Sequence, residues 1–294
     1  MSDPQMPRPT HRPGLASPVW AAALIALLPP APAQAQSDVT IEQVRDGLHV
    51  ISGIGGNIAV RVTGEGVVLV DTGSPRRFEE VERLVASVTS EPIRYVINTH
   101  LHPDHTGGNP QVSDDVELAA HTATLDLMLR RGLPAPPRTV FTDERTFRTG
   151  DAEVRAIHLG AGHTGGDVVV YFPDLRVVHV GDLLHEVAPF IDYEHGGSSA
   201  AWVTTLDRLL DLDFDVVIAG HGPLMDRGDV VAFRDQMETV RTRIRDMIRG
   251  GALRRHVGAR IVSEDLTWTH YRSGGFMARS LSGLYEELAA ELRR

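Results

Sequence analysis

The sequence THLHPDHTGG, at residues 99–108, decides how the rest of this chain is interpreted. It places four potential metal ligands within six residues: His100, His102, Asp104 and His105. In an extended segment, side chains two positions apart point to the same face, so His100 and His102 can reach one ion. A turn after them would bring Asp104 and His105 into the same space. Imidazole and carboxylate ligands suit Zn²⁺; the alternative is a solvated polar turn.

Three later motifs each place a potential ligand beside glycine. They are GHTGGD, GD and GHG, and they contain His163, Asp182 and His221 respectively. Glycine lets the backbone approach an ion closely or turn sharply behind the ligand. A turn histidine is the alternative for His221, and a strand-end turn aspartate is the alternative for Asp182.

With these four motifs, the chain from Asp46 to Pro223 resembles the metallo-β-lactamase superfamily of zinc hydrolases. The resemblance implies an α/β (α+β) fold, the four-layer αβ/βα sandwich, in a domain spanning residues 36–294. It also implies two Zn²⁺ ions per chain. Carried over residue by residue, the first zinc would be held by His100, His102 and His163. The second would be held by Asp104, His105 and His221, with Asp182 bridging the pair.

The resemblance implies the chemistry as well. A metal-bound hydroxide would attack an amide, lactam, lactone or thioester of a small molecule, and Asp104 would orient it. No serine or cysteine nucleophile is needed, and the chain has no cysteine and no GxSxG motif. Asp71 is predicted to brace the metal loop by hydrogen bonds. His158 and His179 are predicted in the core or around the ligands, and His121 at a helix start.

The chain departs from some branches of the superfamily. β-Lactamases with a cysteine ligand carry it where this chain has Asp182, and they grip the substrate carboxylate with a lysine. This chain has no lysine. The HTPGH signature of glyoxalase II is HTGGD here, at residues 163–167, which favours the β-lactamase-like branch. Iron-dependent oxygen reductases usually have glutamate at the position of His102, and superfamily nucleases do not fit the negative charge.

The sequence therefore leaves three hypotheses for the function. The main hypothesis is a dinuclear zinc hydrolase, with β-lactams among the substrates considered. The first alternative is a glyoxalase II-like thioesterase or a lactonase without lactam activity. The second is a non-catalytic zinc-binding accessory protein that retains the fold.

The substrate pocket is predicted from weaker signals. The glycine-rich segment 52–57 forms either a loop over the metals or an ordinary hairpin turn. The apolar wall is assigned to the segment containing Phe190, Ile191 and Tyr193. The pocket candidates are Asn57, His185, Phe190, Tyr193 and His195.

Composition excludes several classes of function. The chain has 294 residues, 42% of them hydrophobic, and a formal net charge of −10. A net negative chain offers no basic footprint for nucleic acid, so the expected partner is a small molecule. The sequence does not indicate an oligomeric state. The absence of cysteine excludes disulfides, thiolate ligands and a lipoprotein anchor.

The first 35 residues are predicted to be a secretory signal peptide. A weakly basic start precedes an apolar run at 19–28, and small residues that offer A-x-A-like cleavage sites follow it. The run is too short for a spanning helix. We therefore expect a periplasmic or secreted protein with no membrane anchor after cleavage; a disordered N-terminal extension is the alternative.

Hydrophobic periodicity predicts two successive units of strands and helices, and hence two sheets packed face to face with helices outside. Helices after residue 229 are expected to cover a sheet, with dimerisation as the alternative. The predicted strands are 39–44, 48–52, 58–62, 67–70, 93–98, 116–120, 145–148, 153–159, 168–172, 176–180 and 216–219. The predicted helices are 76–88, 123–131, 198–210, 229–249 and 280–292.

Overall fold

Two mixed β-sheets form the centre of the molecule. A computed structural model describes residues 39–185, 187–261, 266 and 276–293, and within them thirteen strands form the two sheets. The predicted signal peptide lies outside the described residues and stays a prediction. None of the helices in the described ranges is both long enough and apolar enough to span a lipid bilayer.

The first sheet has seven strands in sequence order, counted over the described residues. Short turns join its first four strands as an antiparallel meander, and parallel pairing then continues to the last strand. The strands are β1 (Thr40–Arg45), β2 (Leu48–Ser52), β3 (Ile58–Thr63), β4 (Gly66–Val70), β5 (Ile93–Ile97), β6 (Glu117–His121) and β7 (Thr139–Phe141).

The second sheet has six strands over the same described residues, in the order β13-β12-β11-β10-β9-β8. Only the β11–β12 pair is parallel; the other pairs are antiparallel. The strands are β8 (Glu144–Thr149), β9 (Ala152–Ile157), β10 (Val169–Phe172), β11 (Val177–His185), β12 (Val216–His221) and β13 (Met225–Asp226).

Seven α-helices lie in the described ranges. They are α1 (Phe78–Val88), α2 (Pro103–Thr106), α3 (Thr122–Arg131), α4 (Ser199–Leu210), α5 (Arg227–Arg249), α6 (Arg254–Ile261) and α7 (Leu281–Glu291). A short π-helical turn, Phe276–Ser280, leads directly into α7.

Three apolar clusters define the layers. The middle cluster joins residues of both sheets, including Val70 and Val170, so the sheets pack face to face. A second cluster buries Phe78 and its neighbours on α1 against the first sheet. The third packs α4, α5 and α7 against the second sheet, with Trp202 fully buried in it. This arrangement confirms the predicted αβ/βα sandwich, and the C-terminal helices cover a sheet as expected.

Most predicted elements are present within two or three residues of their predicted ends. The exceptions are short or depend on distant partners: β7, β13, α2 and α6 carry too little pattern to be read from sequence. Strand β11 is longer than predicted, so Asp182 lies inside it and not at its end. Gly181, at φ 51°, interrupts the regular pairing with β12 just before that residue.

Candidate metal centre

The metal loop begins where β5 ends. His102 is extended and precedes Pro103, the first residue of α2, so the chain turns into a single helical turn directly after it. Proline at this position is compatible with a helix start because its missing N–H would have no partner there. The turn carries Asp104 and His105 back toward the histidines before it, as the spacing predicted.

A first group of four side chains converges at the base of this loop. His100, His102, His163 and Asp182 each offer a ligand atom, and these atoms all lie within 4.8 Å of one another. Nε2 of His163 lies 2.8 Å from Nδ1 of His102, which in turn is 3.1 Å from Nε2 of His100. Nitrogen lone pairs packed this closely repel each other unless a cation or proton lies between them.

A second group lies beside it and shares Asp182. Asp104, His105 and His221 again have ligand atoms within 4.8 Å of one another. Asp182 turns Oδ1 toward this group, 3.2 Å from His105 Nε2 and 3.5 Å from His221 Nε2. Its Oδ2 faces the first group, 3.5 Å from His163 Nε2. One carboxylate thus faces both groups, which is the geometry expected of a bridging ligand.

Four of the imidazoles are fixed by an acceptor on their outer nitrogen. Nδ1 of His105 contacts Asp71 Oδ2 at 2.8 Å, and Nδ1 of His163 contacts the Phe190 carbonyl oxygen at 2.7 Å. Nε2 of His102 contacts an Asp192 carboxylate oxygen at 2.8 Å. His100 is held in the same way by the Thr99 hydroxyl, at 3.0 Å. An N–H given to an outer acceptor leaves the inner nitrogen as a lone pair, as metal-binding histidines require.

Asp71 has the supporting position predicted for it. Its carboxylate accepts hydrogen bonds from the backbone N–H and the hydroxyl of Thr99, each at 2.8 Å, as well as from His105. It is completely buried and has a positive φ of 69°. The residue therefore joins both ends of the metal loop and points no free oxygen at the ligand groups.

The electrostatics of the cluster fit a cationic occupant. Burial acts to raise the pKa of Asp182, but the imidazoles around it, His105 first, hold that pKa well below its usual range. Burial lowers the pKa of His163 to about 4. For His105, burial acts to lower the pKa, but the carboxylates of Asp182 and Asp71 raise it well above its usual value.

The cluster therefore places ionised carboxylates and closely packed imidazole nitrogens around a centre that favours positive charge. Asp182 Oδ1 is buried and has no well-aligned hydrogen-bond donor among the described residues. An oxygen in that condition needs another electrophilic partner. Histidine nitrogen and carboxylate oxygen without thiolate form a donor set suited to zinc and similar divalent ions, so the residues fit a metal pair.

The glycine-rich segment 52–57 packs against the second group. A Cβ on Gly56 would lie 2.3 Å from Cε1 of His105, and one on Gly55 would lie 2.6 Å from the Asp104 carbonyl oxygen. The Gly56 N–H donates to that same carbonyl at 2.9 Å. The segment is therefore neither a free hairpin turn nor a raised flap, because it forms part of the wall behind His105.

A cavity of about 410 Å³ opens on both ligand groups. Two of the predicted pocket residues, His185 and Phe190, line it. Sequence reasoning missed the rest of its wall apart from the ligands, since these positions carry no motif: Pro103, Val187, Ala188 and Arg279.

Three predicted pocket residues do not line this cavity. Asn57 is buried and donates to the carbonyl oxygens of Ala219 and Gly222, both at 2.9 Å. The Tyr193 hydroxyl donates to Glu287 of α7 at 2.8 Å. His195 instead contacts Asp192 and Arg131, at 2.6 Å and 2.8 Å. Ile191, predicted for the apolar wall, belongs to the core under α7.

These corrections share a cause, because contacts remote in sequence set the direction of each side chain. Asn57 is held by residues at the end of β12. In the irregular segment after β11, Tyr193 contacts Glu287 of α7 and His195 contacts Arg131 of α3. A further group of possible ligands, His102, Asp192 and His195, arises here. This group shares His102 with the first group, because Asp192 contacts Nε2, the outer nitrogen of that histidine.

Three further histidines, His121, His158 and His179, have the structural positions predicted for them. His121 caps the start of α3 by accepting a hydrogen bond from the Ala123 N–H. Its ring stacks on His158 with a centroid distance of 3.9 Å. His179 is fully buried and its Nε2 donates to the Asn57 carbonyl oxygen at 3.0 Å.

Together, the face-to-face sheets and the paired ligand groups define a metal-binding αβ/βα-sandwich protein. The chain belongs to the metallo-β-lactamase superfamily, whose family model matches residues 53–221, more than half of its length. Members of this superfamily are generally hydrolases that bind metal ions. All seven candidate ligands lie within the matched range.

The chain has moderate sequence similarity to several known proteins. The chain is 27% identical over 226 residues to the 2,4-dinitroanisole O-demethylase subunit alpha of Nocardioides sp. (strain JS1661), covering 74% of this chain and 67% of that protein. It is 26% identical to the metallo-beta-lactamase type 2 of Bacillus cereus over 174 residues, covering 56% of this chain and 66% of that enzyme. The chain thus spans about two thirds of each of these relatives.

Solved structures share the fold at lower identity. A metallo-beta-lactamase from Pontibacter korlensis superposes with a TM-score of 0.62 and 22% identity, covering 68% of this chain and 99% of that one. A stereoselective inverting sec-alkylsulfatase from Pseudomonas sp. superposes with a TM-score of 0.72 and 17% identity, covering 84% of this chain and 50% of that one.

Proposed function

We propose that this protein is a dinuclear zinc hydrolase that cleaves an amide, lactam, lactone or thioester bond of a small molecule. One observation carries the proposal: Asp182 faces two adjacent groups of ligands, one with each carboxylate oxygen. His100, His102 and His163 would hold the first zinc, and Asp104, His105 and His221 the second. When bound, a zinc pair supplies Lewis acidity and an activated water nucleophile.

The protein groups around the cavity have defined tasks in this proposal. Asp104 lies 3.2 Å from His221 Nε2. Burial acts to raise its pKa, but His221 and His105 lower it to about 2, so Asp104 is ionised at neutral pH. An ionised carboxylate at the cavity wall can accept a hydrogen bond from water and orient that water toward the substrate. Val187, Ala188 and Phe190 provide an apolar surface for the substrate body.

Which of these bonds is cleaved depends on the substrate that the cavity accepts and not on the metal ligands. The lactamase relatives favour a lactam, and the O-demethylase relative adds an aryl methyl ether as a bond to be tested. A thioesterase or lactonase without lactam activity stays the nearest alternative. A non-catalytic zinc-binding protein would retain the same ligands but turn over none of these compounds.

The test combines metal analysis with a substrate panel. Purified protein loaded with zinc should contain two equivalents by inductively coupled plasma mass spectrometry. The panel comprises nitrocefin, a γ-lactone, a thioester and 2,4-dinitroanisole, each followed at pH 7. We expect turnover of at least one compound, with a loss of 100-fold or more in kcat/KM in His102→Ala and His163→Ala.

The matched control is His256→Ala, which removes an exposed histidine of α6. It should retain both the metal and the activity. A folded protein that takes up no divalent metal would overturn the proposal. A protein that binds two zinc ions but hydrolyses nothing in a wide panel would support the accessory role instead.

A further inference from the structure

We propose that Arg279 is an anion-binding residue of the substrate site, and that the substrate carries a carboxylate apart from the bond that is cleaved. This inference rests on the proposed hydrolase function and adds the charge of its substrate. Arg279 lies outside the residues matched by the family model, which end at 221. The proposed anion-binding residue therefore belongs to the C-terminal segment of this chain.

Arg279 lines the same cavity as the candidate ligands. It is the one arginine among the described residues of the cavity wall, which also includes Asp104, Asp182 and His221. Its guanidinium carbon lies 3.5 Å from the centroid of the Phe190 ring. Phe190 in turn stacks on the ring of His102, with a centroid distance of 5.8 Å and an interplanar angle of 15°.

Stacking on an aromatic face leaves the donors of a guanidinium available. Its N–H groups radiate in the plane of the group, so a ring against that plane orients them without using them. Within the described part of the chain, no carboxylate forms an ion pair with Arg279. Its exposed side chain thus presents an unused planar fork of donors to the cavity, which matches the two oxygens of a carboxylate.

The backbone beside Arg279 is firmly attached to the cavity wall. The buried Ser280 hydroxyl donates to the Pro189 carbonyl oxygen at 3.0 Å and accepts from the Ile191 N–H at 2.9 Å. These two bonds lie on either side of Phe190 in the sequence. Serine therefore holds the Arg279 backbone next to the ring on which the guanidinium stacks, so the position of the charge is built into the fold.

An arginine placed in this way should select substrates by charge. A bidentate pair with a carboxylate in a partly enclosed cavity binds more strongly than an exposed ion pair, because less water competes for it. Phe190 and its apolar neighbours would bind the body of the substrate, and Arg279 would bind its anionic group. A neutral substrate would use only the first contact.

The test compares charged and neutral partners of one substrate. The probes are S-(4-carboxyphenyl) thioacetate and S-phenyl thioacetate, with phenylacetate and phenylacetamide as unreactive ligands for calorimetry. Zinc-loaded wild type should prefer both carboxylates. In Arg279→Gln, we expect KM for the charged thioester and Kd for phenylacetate to rise 10- to 100-fold. The neutral partners should change less than 3-fold, and Arg279→Lys should recover part of the loss.

Arg249→Gln is the control, because it removes a positive charge at an exposed ion pair with Asp246. It should leave all four probes unchanged. Equal effects of Arg279→Gln on charged and neutral probes, or no effect on either, would overturn the anion site even if turnover persists. If wild type cleaves no thioester, the proposed function is in doubt for this bond, but phenylacetate calorimetry still decides the role of Arg279.

Discussion

The contact between Gly56 and His105 links a hairpin glycine to the candidate metal site. The backbone conformation of Gly56 is open to any residue, so only the lack of a side chain is required there. In Gly56→Ala the new methyl group would overlap the buried His105 ring, which Asp71 holds in place. We expect a loss of about 1–3 kcal/mol in unfolding free energy and zinc content falling from two equivalents toward one.

Urea denaturation and metal analysis measure these two effects. Gly64→Ala is the matched control, since a Cβ there has nothing within 4 Å. It should change neither stability nor zinc content. Normal zinc content in Gly56→Ala would show that the ring can move aside and that the close approach is not needed.

Asp71 offers a second test at the scale of single residues. Asparagine tolerates the positive φ at this position and preserves the shape of the carboxylate. However, the backbone N–H of Thr99 requires the amide oxygen at the position of Oδ1. The amide nitrogen, which can only donate, then faces the Nδ1–H of His105 that fixes the inward lone pair. We expect Asp71→Asn to remain folded and to bind zinc 10- to 100-fold more weakly, as measured by competition with a chelating dye.

The matched change Asp151→Asn, at an exposed turn, should have no effect on zinc affinity. If Asp71→Asn binds zinc as well as wild type does, then the Asp71–His105 hydrogen bond does not determine the tautomer.

Whether the role of a residue can be predicted from sequence depends on how near in sequence its partners lie. His100 and His105 could be predicted because ligand spacing within one loop fixes which side chains meet. His163 and Asp182 were supported by adjacent glycines and by family resemblance. Tyr193 was assigned wrongly to the pocket because its direction depends on Glu287, 94 positions later, and no local pattern encodes that contact.

At the scale of elements, two stacked histidines connect the ends of one strand from each sheet. His121 ends β6 of the first sheet, and His158 follows β9 of the second; their rings stack with an interplanar angle of 14°. Burial, followed by the neighbouring His158, lowers the pKa of His121 to about 4. Protonation of His121 is therefore unfavourable in the folded state but free in the unfolded chain.

The lowered pKa of His121 predicts that acidification decreases the unfolding free energy. Well above pH 6.5 His121 is neutral in both the folded and the unfolded state, so it does not lower the unfolding free energy there. As the pH falls from about 6.5 to 4 the unfolded chain binds the proton first, so the unfolding free energy decreases. We expect about 1–2 kcal/mol over this window, after allowing for partial hydration of the ring.

The variant His121→Asn isolates that contribution, because asparagine can still accept the Ala123 N–H and cap α3. Urea denaturation at pH 4.5, 5.5 and 7 should show a smaller loss of stability on acidification than in wild type. His256→Asn, at an exposed position, should retain the wild-type slope. The same slope in wild type and His121→Asn would contradict this role for the histidine pair.

The C-terminal helix shows what element patterns reveal and what they leave out. Amphipathic spacing predicted α7 almost to its ends, and its buried leucines cover the second sheet as expected. The spacing gave no indication that Glu287 accepts from Ser198, at the start of α4, at 2.6 Å. That contact attaches α7 to α4, and those of Ser280, just before α7, attach it to the segment that contains Phe190 of the cavity wall. Polar contacts between elements so distant in sequence have no periodic signature.

At the scale of the whole molecule, the candidate ligands come from both sheets. The loop after β5 of the first sheet supplies four of them, and the second sheet supplies Asp182 and His221 from its strands and His163 from the loop after β9. A bound metal pair would therefore cross-link the two halves of the sandwich. Face-to-face sheets were predictable from the repeated strand pattern, whereas the register that brings both ligand sets together depends on packing across the whole core.

This cross-link predicts strong coupling between metal binding and stability. A ligand present at 100 times its Kd stabilises the folded state by about 2.7 kcal/mol per site. For a domain of this size, each kcal/mol raises Tm by about 2–4 °C. Removal of both metals with a chelator should therefore lower Tm by about 10 °C or more. His163→Ala, which breaks one ligand group, should lose about half of this response, whereas His256→Ala should keep it. Calorimetry with parallel metal analysis measures the effect, and an unchanged Tm after complete metal loss would mean that the two sheets hold together without the ions.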